Sequence, residues 1–90
     1  MGELTKLPNI AGKLEAQLNE IGVATEAELR RVGSREAWLR ILSRDPSACL
    51  SRLCALEGAI RGVRWHHLDD AVKASLKAFY HEHKGKGAGQ

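Results

Sequence analysis

Four histidines, two cysteines and one proline–glycine turn are the residues of this chain whose types and spacing could do chemistry. His66 and His67 are adjacent, so one ion could take both imidazoles only in strained geometry. His81 and His83 stand in a polar stretch near the end, with no carboxylate or thiolate at customary ligand spacing. The pattern therefore calls for no metal and no cofactor. His66 or His67 is expected to tuck against a neighbouring helix and hydrogen-bond backbone. Cys49 and Cys54 lie five apart in a helical pattern, on diverging faces, so no mutual disulfide is expected. Both read as packed thiols in a reducing compartment. No serine, histidine and aspartate have the strained-turn context of a nucleophile elbow. No catalytic residue is assigned, and the expected protein is not an enzyme.

The turn is more informative. Leu7-Pro8-Asn9-Ile10-Ala11-Gly12-Lys13 runs into a helical pattern, and further on Gly22-Val23 precedes Thr25-Glu26-Ala27-Glu28. Leu-Pro-x-Ile-small followed by a helix is similar to a helix–hairpin–helix, a motif that meets nucleic acid with little sequence preference. Backbone N–H groups at the start of the following helix, whose dipole favours anions, approach a phosphate. Asn9 stands at the first glycine position, Ala11 at the second, and Gly12 is displaced by one. Asparagine tolerates positive φ, so the turn can still form. The candidate nucleic-acid contacts are Asn9, Ile10, Ala11, Gly12 and Lys13, the last being the one cation in the turn. Arg61, Arg64, Lys73 and Lys77 would add backbone contacts if the last two helices lie side by side. The same turn can also serve only to pack two helices.

These residues must be carried by helices, since no segment alternates like a strand. Ile10, Leu14, Leu18 and Ile21 share one side of a first helix that Gly22 closes. Thr25 to Glu28 reads as a capping box for a short second helix, ended by Gly33. Ser34 can cap a third, with Ala37, Trp38, Ile41 and Leu42 as its apolar face. Asp45-Pro46 signals the start of a long fourth helix, running to about Gly62. Cys49, Leu53, Leu56 and Ile60 form its apolar stripe. Ser51, Ala55, Gly58 and Gly62 form a stripe of small residues through which another helix could approach, so this helix is expected at the centre. Glu57 and Arg61 are spaced as a surface i,i+4 pair, the alternative being a semi-buried carboxylate held by Arg61, Arg64 or a histidine. Trp65 reads as a core anchor rather than a base-stacking platform. Asp69 and Asp70 open a fifth helix lined by Val72, Leu76 and Phe79. The expectation is an all-α, compact bundle of about five helices over residues 1–82, with a flexible polar and glycine-rich tail at 83–90.

Charge narrows the partners. The net charge is +3, and residues 1–45 hold seven basic and seven acidic side chains, so the excess lies in the second half. Such a balance permits nucleic-acid contact without requiring it. No apolar run is long enough to cross a bilayer, and the first residues lack a signal-peptide apolar region, which points to the cytoplasm.

Several stretches together resemble the C-terminal domain of the TfoX/Sxy family, bacterial proteins linked to natural competence. They are Leu7-Pro8-Asn9-Ile10, Leu18 to Gly22, Glu36 to Leu39, Pro46 to Leu50, Ala55 to His66 and the Val72-to-Tyr80 ending, spread over roughly residues 4–80. The resemblance implies a SAM-like, helix–hairpin–helix-type fold and a regulator or coactivator role in transcription. In that family the glycine after Pro-Asn-Ile is usual, where this chain has Ala11, and the regulators carry an additional N-terminal domain. Two functions stay open. One is weak, non-specific DNA contact through the turn. The other is a protein–protein module that docks a transcription-related protein or another copy of itself. No small-molecule substrate is evident.

Overall fold

The computed structural model describes residues 3–85, and among them there are five α-helices and no strand. A one-turn 3-10 helix at Glu3–Lys6 leads into α1, Gly12–Glu20. The end of α1 is set by Gly22, whose φ of 89° lets two backbone bonds close the helix: Gly22 N–H to Asn19 O (3.1 Å) and Val23 N–H to Leu18 O (2.8 Å). Helix α2, Glu26–Val32, opens on the expected capping box. Thr25 Oγ1 accepts from the Glu28 N–H at 3.1 Å, and the Glu28 carboxylate accepts from the Thr25 N–H at 3.2 Å. It also accepts from the Ala24 N–H, the largest influence holding its carboxyl below the usual range.

Helix α3, Ser34–Arg44, follows at once, then α4, Leu50–Arg61, and α5, Asp70–Tyr80. Past Tyr80 the chain keeps winding as a π turn, His81–Gly85, and the His83 ring lies 4.2 Å from that of Phe79. The rest of the expected tail, 86–90, lies outside the described residues.

The start of α4 differs from the sequence reading. Asp45 closes α3 rather than opening α4, whose N-cap is Cys49. The Asp45 carboxylate is already committed. It accepts from the Ser47 hydroxyl (2.6 Å) and backbone N–H (3.0 Å), from Gln17 on α1 (2.7 Å) and from Arg52 (3.1 Å). Those donors, Ser47 foremost, hold it far below the ordinary carboxylate range. Cys49 consequently sits outside the helix and is exposed, whereas Cys54 is buried, which raises its thiol pKa. Ser34 likewise is not a cap. Gly33 takes that position, and Ser34 is the buried first residue of α3.

Helix α4 is the central element. Leu53 through Ala59 are all buried, and α3, α5, α2 and the short 3-10 turn Trp65–His67 pack on it. On the α3 side the core is held by Trp38, fully buried, with Phe79 and Tyr80 of α5 against its ring. The small-residue stripe works differently from expectation. A Cβ at Gly58 would stand 2.6 Å from Asn9 Nδ2 and 2.7 Å from Val63 O, so a loop and a doubled-back chain fill the notch, not a helix. Gly62 has open space around it. Its φ of 79° closes α4 through the same pair of bonds as at Gly22, with Val63 N–H on Gly58 O and Gly62 N–H on Ala59 O.

Glu57 is a second correction, since it is 9% exposed rather than on the surface. Ser34 Oγ–H and the Arg61 guanidinium both donate to its carboxylate. Burial alone would raise its pKa, but these donors more than offset that and leave it lowered. The trio ties α3 to α4. Glu57→Gln keeps an acceptor for Ser34 and removes the charge facing Arg61, so a loss of about 1–2 kcal/mol is expected near neutrality. Because the folded carboxyl titrates below its ordinary 4.5, the charge contributes fully above that pH. It fades as pH falls through the lower folded value. Urea unfolding at neutral and acid pH should show the gap between wild type and variant closing as the solution is acidified.

Candidate nucleic-acid interface

Asn9 organises the site. It is the one described non-glycine residue with positive φ, 70°, as its place in the turn requires. Its side chain then clips the turn to the far end of α4: Nδ2 donates to Val63 O (3.0 Å) and Ala55 O (3.4 Å), and Oδ1 accepts from the Trp65 N–H at 3.1 Å. Chain segments more than fifty residues apart are thereby locked together. The Asn9 amide is committed to the fold rather than to capping α1. Ala11, the N-cap, provides no side-chain hydrogen bond to the backbone N–H groups at the start of that helix.

In front of that helix start lies an open groove of about 440 Å³. One wall is Asn9, Ala11 and Lys13 with Gln17 below, and the other is Ser51, Arg52 and Ala55 of α4. Arg64, Trp65 and His66 close one end, and Cys49 also borders it. Lys13 and Arg64 are exposed. Arg52 is held at the wall by Asp45, which Gln17 steadies in turn. Trp65 does not anchor the core. It is 40% exposed, with His66 edge-on at 5.7 Å and His67 edge-on to His66 at 4.6 Å. Both histidines are exposed, so neither tucks under a helix. Instead the His66 carbonyl accepts from Lys73 Nζ at 2.9 Å.

Of the residues read from the sequence, Asn9, Ala11, Lys13 and Arg64 come together around this groove, with exposed Gly12 at the helix start beside them. Ile10 is buried in the core and shapes the turn from beneath. Lys73 and Lys77 lie across Trp65 in a separate apolar trough of about 320 Å³ with Leu50, Cys54 and Ala74. Arg61 does not line either hollow; its guanidinium is on Glu57. Arg52, Trp65 and His66 were not among the expected contacts. An arginine seven residues beyond an Asp-Pro-Ser turn, and Arg-Trp-His just past a helix-closing glycine, were the available signals.

Among the described residues no three histidine, cysteine or acidic side chains group as metal ligands, and no helix is long and apolar enough to cross a membrane. Five short helices, one of them buried at the centre, with a Leu-Pro-Asn-Ile turn clipped to the end of that central helix, define a small all-α domain. The chain belongs to the TfoX C-terminal domain family, whose model matches residues 1–80. Protein Sxy of Escherichia coli (strain K12) is 38% identical over 73 residues, 81% of this chain and 35% of Sxy. The chain thus spans about a third of the length of that curated relative. Two crystal structures from Listeria monocytogenes are each 51% identical to it. An uncharacterized protein in a triclinic form has a TM-score of 0.90, over 91% of this chain and 93% of that one. A protein of unknown function in a tetragonal form has a TM-score of 0.87, over 89% and 98%.

Proposed function

We propose that this domain is a non-enzymatic, competence-regulator-like module that meets the phosphate backbone of nucleic acid with the groove at the start of α1. The observation that supports it is the convergence of an uncapped helix N-terminus with Lys13 and Arg64 on one open hollow. Helix N–H groups and the dipole favour an anion there, and two flexible cations can neutralise adjacent phosphates. Contacts of this kind position a protein on nucleic acid without reading sequence.

The test is fluorescence anisotropy with a labelled duplex of about 20 base pairs over a salt series. Two neutralised phosphates predict a slope of about −2 in log affinity against log salt, or roughly tenfold weaker binding between 50 and 200 mM. Lys13→Glu should weaken binding at every salt and flatten that slope by about one. Absence of binding to duplex and to single strand alike, by micromolar protein at low salt, would refute the reading. A second reading, a protein-docking module, is favoured by the apolar trough between α4 and α5 with Lys73 and Lys77 on it. It becomes the better account if neither duplex nor single strand binds.

A further inference from the structure

We infer that the groove is built for an unpaired strand, one base lying on the Trp65 indole while the neighbouring phosphate sits at Lys13 and Arg64. This rests on the phosphate reading above and adds what kind of nucleic acid the same hollow takes. Trp65 is the exposed one of the two tryptophans, since Trp38 is fully buried. Its ring contact is edge-on with His66, and an edge contact covers at most one of an indole's two faces. The ring is nevertheless not loosely held at its root. The Trp65 backbone N–H donates to Asn9 Oδ1, and the Trp65 Cα stands over Gly58, 3.2 Å from where a Cβ would be.

Asn9 therefore fixes two things at once: the backbone bend that begins α1, and the backbone from which the indole beside it projects. The helix start and the root of the aromatic platform are tied to each other through Asn9 before any ligand arrives, which limits the ordering cost of binding. The hollow's volume is within the range, about 300–1,000 Å³, of sites that enclose small molecules. That suits one or two nucleotides entering, where a duplex could only lie across the rim. In a duplex the base faces are stacked on one another and only edges show in the grooves. An aromatic platform finds a free face on an unpaired base, and stacking of this sort tolerates any sequence. Lys13 and Arg64, with Arg52 partly neutralised by Asp45, supply the charge complement to the strand.

The experiment is a titration of the full chain with a thymidine oligonucleotide of about ten residues, an abasic oligomer of equal length and a matched duplex, read by tryptophan emission and by anisotropy. Because Trp38 is fully buried, quenching reports Trp65. The expected result is quenching by the thymidine oligomer, tighter binding of it than of either control, and a loss of about 5- to 100-fold in Trp65→Ala with partial recovery in Trp65→Phe. Circular dichroism melts of both variants check that the fold is kept. Equal binding of abasic and thymidine strands, tighter binding of the duplex, or an unaffected Trp65→Ala would overturn this inference and leave the phosphate reading standing. No binding of any of the three would remove both.

Discussion

Trp38→Ala is expected to lose about 3–5 kcal/mol of folding stability, the largest effect of any single truncation in this domain. The side chain is wholly buried, and it touches three elements rather than one. It projects from α3, meets the rings of Phe79 and Tyr80 at centroid distances of 6.0 and 5.7 Å, and donates Nε1–H to Cys49 O at 3.2 Å. The last bond matters for chain direction, because Cys49 is the N-cap at which α4 begins. Truncation therefore opens a cavity, takes the indole away from Phe79 and Tyr80 of α5, and removes a side-chain donor from the carbonyl at the start of the central helix. For a domain whose whole stability is about 5–15 kcal/mol, such a loss is a large share of the total. Urea unfolding followed by far-ultraviolet circular dichroism gives the number. Trp38→Phe separates the contributions: most of the ring packing stays, the hydrogen bond goes, and a smaller deficit remains. A variant as stable as wild type would mean that α3 and α5 are not joined through this ring.

The two tryptophans illustrate what could be read from the chain and what could not. Trp38 sits in a 3.6-residue pattern with Ala37, Ile41 and Leu42, and that periodicity alone assigns it inward. Trp65 follows a helix-closing glycine, where no periodicity exists, so its large apolar ring argued for burial by size. The fold decides otherwise because the chain doubles back at Val63 to meet Asn9. Local signals were sound wherever they were self-contained: Gly22 and Gly62 with their paired closing bonds, and Thr25 with Glu28. They failed where a distant residue competed. Asp45 followed by Pro46 has the composition of a helix start, but Gln17, 28 residues earlier, and Arg52 claim the carboxylate. Glu57 looked solvated because its helical neighbour Arg61 suffices as a partner, and nothing local announces that Ser34 buries the other oxygen.

The candidate interface follows the same division. Its α1 wall, Asn9 through Lys13, is a contiguous motif and was legible as one. The opposite wall comes from α4 and the turn beyond it, and only the folded chain sets Arg52, Arg64 and Trp65 opposite Lys13. The central helix is thus both the core of the domain and one side of its groove. Substitutions in it should seldom affect stability alone.

Gly58 is where that dual role is sharpest, and Gly58→Val is expected to destabilise the domain by about 2–4 kcal/mol while also loosening the groove. Alanine or valine would ordinarily help or do little at a helical glycine, alanine by about 1 kcal/mol. Here the new Cβ would meet Asn9 Nδ2 and Val63 O, the first a clipped amide and the second backbone. Relief requires Asn9 to surrender its bonds to Val63 and Trp65, worth about 1 kcal/mol each, or α4 to move off the turn. A midpoint lower by roughly 10–20 °C follows for a domain of this size. Gly58→Ala should show a smaller loss, since its gain in helix propensity works against the clash. The decisive comparison is the same alanine in an Asn9→Gly background. Glycine keeps the positive φ and removes the amide, so the two changes should be markedly less costly together than their sum. Strict additivity in thermal melts would mean that Asn9 and Gly58 do not press on one another, and that Trp65 takes its position from something else.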